Sequence, residues 1–120
     1  VNKKNIILFL IAMLPGVAMA GAATNTMAGV LGEINHFPSD ADVAALDKIG
    51  ASDASAVEKQ LAQIITRIAH QPGPDDKTAL EKIIGMDDTA PAAKVIAKAI
   101  LNMNHRPQAA DLEALKALPE

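Results

Sequence analysis

The chain holds three histidines, and each stands two residues before a proline: His36-Phe37-Pro38, His70-Gln71-Pro72 and His105-Arg106-Pro107. Behind each tripeptide the same text follows: Asp42-x-x-Ala45-Leu46, Asp76-x-x-Ala79-Leu80 and Asp111-x-x-Ala114-Leu115. A repeat of 34 to 35 residues in a chain of 120 restricts the fold severely. Each copy is too short to bury its own apolar face, so the copies must pack on one another.

The text between the landmarks is helical. Ser39 or Asp40 can cap a short helix carrying Val43, Leu46 and Ile49, and Gly50 ends it. Ser55-Ala56-Val57-Glu58 is a capping box, in which the serine hydroxyl and the glutamate carboxylate satisfy each other's orphan amides. It opens a longer helix whose Val57, Leu61, Ile64, Ile65 and Ile68 form one apolar stripe. Asp75 or Asp76 starts a second short helix holding Leu80, Ile83 and Ile84, which Gly85 stops. Asp88 or Thr89 precedes a second long helix, with Pro91 in its first turn and Val95, Ile96, Ala99, Ile100 and Met103 on its buried side. A last helix is expected over about 108 to 118, showing Leu112, Leu115 and Leu118; Met27, Val30, Leu31 and Ile34 make a weaker face upstream. The expectation is an all-α chain of about six helices in alternating short and long pairs. Repeat units lie at about 39–72 and 73–107, with half units at 21–38 and 108–120. Such a chain can be α-solenoid-like or a compact helical bundle.

At Ala45-Leu46-x-x-Ile49-Gly50 and Ala79-Leu80-x-x-Ile83-Ile84-Gly85 the sequence resembles HEAT-type repeats, whose first helix often ends this way. The resemblance implies a binding scaffold without catalysis. The chain departs from that family in its shorter first helices and in lacking a basic residue at a fixed place in the second. Tetratricopeptide repeats share the period but require aromatic and glycine positions that are missing here.

The first twenty residues read as a secretory leader. Lys3 and Lys4 supply the cationic start, Ile6 to Leu14 the apolar run, Pro15-Gly16 the break, and Ala18-Met19-Ala20 the small-x-small cleavage signal. The apolar run covers only about half of the roughly 20 residues that a spanning helix needs. Cleavage after Ala20 removes two of the eleven basic residues and leaves nine against fourteen acidic ones, a net charge of −5. That balance disfavours nucleic acid and anionic membranes as partners. Without cysteine the chain has neither disulfides nor thiol chemistry, and with two phenylalanines and no other aromatic it has no stacking platform for single-stranded nucleic acid.

Catalytic constellations are missing from the sequence: no serine sits in a Gly-x-Ser-x-Gly elbow, and no phosphate loop or His-Glu-x-x-His occurs. Ser39, Ser52, Ser55 and the pairs Asp75-Asp76 and Asp87-Asp88 fall where helices begin, as capping alone requires. The histidines invite a metal. Equivalent points on successive layers of packed helices, however, lie on the order of 10 Å apart, a gap that two imidazoles can bridge and three in a row cannot. The reading is therefore helix-end punctuation, with His70 and His105 as the pair able to hold a metal or haem and Met103 as a possible helper. For interaction surfaces two residues stand out. Leu101 lies opposite the buried stripe of its helix, and is either buried on a second side or part of an exposed patch. Phe37, the sole aromatic after residue 20, is expected to make a capping core contact rather than an exposed anchor. The functional expectation is an exported adaptor, bacterial and periplasmic or secreted, that binds an unknown protein partner and carries no cofactor and no catalytic residue. The alternative is a periplasmic metal or haem binder using the His-x-Pro histidines.

Overall fold

The computed structural model describes the backbone of residues 10–118 and the side chains of residues 21–118. The leader expectation therefore lies largely outside the described side chains. Among the described residues six helices follow in order: α1 Leu10–Glu33, α2 Asp40–Gly50, α3 Ala56–Thr66, α4 Pro74–Gly85, α5 Pro91–Leu101 and α6 Ala109–Lys116. Among the described residues no helix is long and apolar enough to cross a membrane.

Local chemistry explains the boundaries. Ser39 and Ser55 both form complete capping boxes, with Asp42 and Glu58 reaching back to the cap amide. The α4 and α5 starts differ from the sequence expectation. There the caps are Gly73 and Ala90, without a side-chain hydrogen bond, and Pro74 and Pro91 fill the first turn, where a missing N–H costs nothing.

The expected alternation of short and long helices is not seen, since α2, α3, α4 and α5 have 11, 11, 12 and 11 residues. Helices α1, α3 and α5, the long set of that expectation, pack against one another in all three pairings, and each of the others leans on the next of them: α2 on α3, α4 on α5, and α6 back on α1. That last contact closes a ring. An open solenoid unit touches only its neighbours, whereas here the two half units from the chain ends meet and complete a third copy. The fold is thus a compact all-α bundle with approximate threefold symmetry, and the solenoid arrangement is not adopted.

The core follows that symmetry in layers. Leu31, Ile65 and Ile100 are fully buried at equivalent places, as are Met27, Leu61 and Ile96. Ile34, Ile68 and Met103 form the next layer toward the helix C-termini, and Leu46, Leu80 and Leu115 fill the seams from the short helices. Met103 therefore occupies a core position, which corrects its reading as a helper ligand. Alanines at Ala62, Ala97 and Ala99, buried to 1% exposure or less, let the long helices approach closely.

Candidate metal centre

Each long helix ends a few residues before its histidine, so the imidazoles sit beyond the last turn. The expected helix-end punctuation is corrected here in a specific way. His36, His70 and His105 have φ of 75°, 71° and 69°, and among the described residues they are the only non-glycine residues with positive φ. The chain kinks sharply at each. Asn35 and Phe37, Ala69 and Gln71, and Asn104 and Arg106 are paired across the kink as short antiparallel bridges, with the Asn104 N–H donating to the Arg106 carbonyl at 3.2 Å. A left-handed backbone costs a residue other than glycine on the order of 1 kcal/mol or more, and glycine would adopt it freely. Three copies independently place histidine there.

The kinks join into a closed circuit. The His36 N–H donates to the His105 carbonyl at 2.8 Å, the His105 N–H to the His70 carbonyl at 2.6 Å, and the His70 N–H to the His36 carbonyl at 2.5 Å. These three bonds lock the C-terminal ends of three helices that are remote in sequence, and they hold the imidazoles over one another. The ring centroids are 4.7, 4.9 and 4.9 Å apart. One nitrogen from each ring lies within 4.8 Å of the other two.

A spacing on the order of 10 Å between equivalent histidines holds for stacked layers. Ring closure removes that spacing, so His36 joins the pair His70 and His105. The internal repeat held the missing signal, since three equivalent residues in a cyclic arrangement face one axis.

The site's electrostatics suit a cation. Three helix C-termini converge on it, each carrying a partial negative charge. The Nδ1 atoms of His70 and His105 are 3.0 Å apart and share a hydrogen bond, so one ring must carry a proton there and the other must not. The Nδ1 of His36 is out of solvent contact and has no hydrogen-bond partner. Desolvation, then the proximity of His70 and of His105, lowers the His36 pKa below its ordinary value of 6.5, which keeps the ring neutral and able to ligate.

Nitrogens bound to a tetrahedral zinc at about 2.0 to 2.1 Å lie roughly 3.3 to 3.4 Å apart. The observed spacing, from 3.0 Å up to at most 4.8 Å, brackets that value, so small ring rotations suffice. His70 and His105 are exposed and His36 is half-buried, so a further coordination position can face solvent. A haem does not fit, because rings this close leave no gap for a macrocycle between any two of them.

Around the triad the copies diverge. Arg67 donates to Asp76 at 2.8 Å, and at the same place in the next copy Asn102 donates to Asp111 at 3.3 Å. In the first copy the equivalent positions hold Glu33 and Asp42, and Asp42 is engaged in the Ser39 capping box. Phe37 is 63% exposed, correcting the expected core contact, while Leu101 is partly buried against the core. No known protein family, curated protein or solved structure matches the chain.

Proposed function

We propose that this is an exported metal-binding protein whose ion is held by His36, His70 and His105. The observation that carries the reading is the meeting of three imidazoles on one axis, each on a left-handed backbone that glycine would occupy at lower cost. Three imidazoles suit zinc, copper(II) or nickel(II), with copper(II) bound most tightly of the three by the general order of affinities. The buried, unpartnered Nδ1 of His36 gains a partner only when the ion arrives. Because the ligands come from all three copies, the metal clamps the ring and its binding energy adds to folding energy.

The test is thermal unfolding of the purified protein with and without zinc or copper(II). Free metal at about 100 times Kd contributes about 2.7 kcal/mol, and for a domain of this size that raises Tm by roughly ten degrees or more. Replacing any one histidine by glycine should remove most of the shift. A shift that survives in all three single variants would refute the site.

A second reading, an adaptor for another protein, is supported by the exposed Phe37 beside the triad. It requires that site-specific cross-linking from position 37 in exporting cells capture one defined partner, and a position 37 that cross-links to nothing would remove it.

A further inference from the structure

The opposite pole of the bundle, where α3 and α5 begin, holds a cavity. We propose that hydrolysis of the Ala20–Gly21 bond gives the mature chain an α-ammonium on Gly21 that binds the buried carboxylate of Glu58. The inference rests on the export reading and extends it to a defined contact.

The internal repeat fixes the register. The N-caps of α3 and α5 are Ser55 and Ala90. Shifted back by 34 residues, and by 34 plus 35, both fall on Gly21. Helix α1 instead continues to Leu10, beyond the start that the other two copies define. The small-x-small signal Ala18-Met19-Ala20 ends at that same point, so two independent features of the chain mark one bond. Cutting it starts the first copy at the position equivalent to the starts of the other two.

The pole has the chemistry of a site for a cation. Gly21, Thr24, Glu58, Asp88 and Thr89 are among the residues lining a cavity of about 410 Å³, where the two carboxylates are the only ionisable side chains among the described residues. Glu58 is 5% exposed; its Oε1 accepts the Ser55 N–H at 2.9 Å and its Oε2 accepts the Thr24 hydroxyl at 3.4 Å. Among the described residues no cation is paired with it. Thr89 is 8% exposed, and its Oγ1 is buried without any partner. Gly21 precedes Thr24 by three residues, which places it on the same helix face about 4.5 Å further along the axis. An ammonium there has three N–H donors, and the cavity that Gly21 lines is also lined by the residues of three acceptors: the Glu58 carboxylate, the Thr89 hydroxyl and the Asp88 carboxylate.

The cleavage is an ordinary hydrolysis catalysed by a leader peptidase. Water gives its hydroxyl to the Ala20 carbonyl and a proton to the Gly21 nitrogen, and at neutral pH the new amine takes up one further proton. The positive end of the α1 dipole opposes an ammonium at this place, so the carboxylates must more than offset it.

The experiment expresses the full chain in an exporting bacterium, purifies it from the periplasm, and reads its N-terminus by mass spectrometry. The rate at which acetyl N-hydroxysuccinimide acylates the α-amine at pH 7 is then compared between the natural chain and Glu58→Gln, a variant that keeps the capping box. The expected result is Gly21 as first residue, with acylation about tenfold faster in E58Q, equivalent to one unit of amine pKa. If E58Q fails to fold, direct titration of the natural α-amine replaces it, with a pKa above the ordinary range of about 7.7 to 8.0 expected. A chain beginning at Gly21 whose amine reacts equally fast in both proteins, or titrates in the ordinary range, overturns the inference and leaves the export reading intact. A chain that keeps residues 1–20 overturns both.

Discussion

At the C-terminal pole of the bundle the three copies carry the same residue in the same unusual backbone conformation. At the N-terminal pole the equivalent positions hold Thr24, Glu58 and Ala93, and the caps differ as well: Ser55 bonds its helix, while Ala90 does not. The same three helices run through both. The difference teaches where symmetry is required. Three imidazoles can ligate one ion only if all three copies place them alike, whereas each helix start can be capped or filled separately. The layers between the poles tolerate partial variation, since Met103 stands in for isoleucine and Ala99 for Val30 and Ile64, with all of them buried.

The comparison can be broken most forcefully in the middle. Ile65→Ala removes a fully buried side chain from the layer shared with Leu31 and Ile100 and should cost about 2 to 5 kcal/mol in denaturant-induced unfolding. A cost under about 1 kcal/mol would mean that the long helices do not share one core.

At the C-terminal pole, metal-free stability should rank His70→Gly above His70→Ala by on the order of 1 kcal/mol, because only glycine relieves a φ of 71°. Both variants should lose metal affinity. Chemical denaturation of the two proteins separates the cost of the backbone from the use of the imidazole, and equal stabilities would deny the strain.

A smaller effect is expected at the N-terminal pole. Ala90→Ser gives α5 the side-chain cap it lacks and should add about 0.5 to 1 kcal/mol, while Ser55→Ala should cost about 1 kcal/mol by removing a cap that exists. Thermal unfolding of both checks whether this pole is free to vary copy by copy.

The smallest effect is the pH response of the metal-free protein. The His36 pKa is lowered in the folded state, so the unfolded chain takes up the proton first. Stability is therefore whole above pH about 6.5 and declines as pH falls through the folded value. In His36→Gly that part of the decline should vanish, and an unchanged pH profile would contradict the assignment.

Much of the fold could be read from the text. The capping boxes at Ser39 and Ser55, the stripe from Leu61 to Ile68 and the prolines after each histidine placed the helices closely, because those signals act within a turn or two of chain. Ring closure was not legible, since it depends on α6 meeting α1 across almost the whole chain, and nothing local marks the ends as partners. That omission propagated to the site. Copies that stack leave His36 out of the metal pair, although its tripeptide is equivalent to the other two. Phe37 was misplaced for a related reason: the kink at His36 turns the following side chain outward, and a positive φ at histidine leaves no mark in sequence periodicity.

The central claim is that three histidines bind one ion. X-ray absorption of the zinc-loaded protein counts the ligands directly. The account predicts one zinc per chain with three imidazole nitrogens at about 2.0 to 2.1 Å and one lighter, exchangeable oxygen donor. Two or fewer imidazoles per zinc, or a spectrum unaltered in His36→Gly, would contradict it.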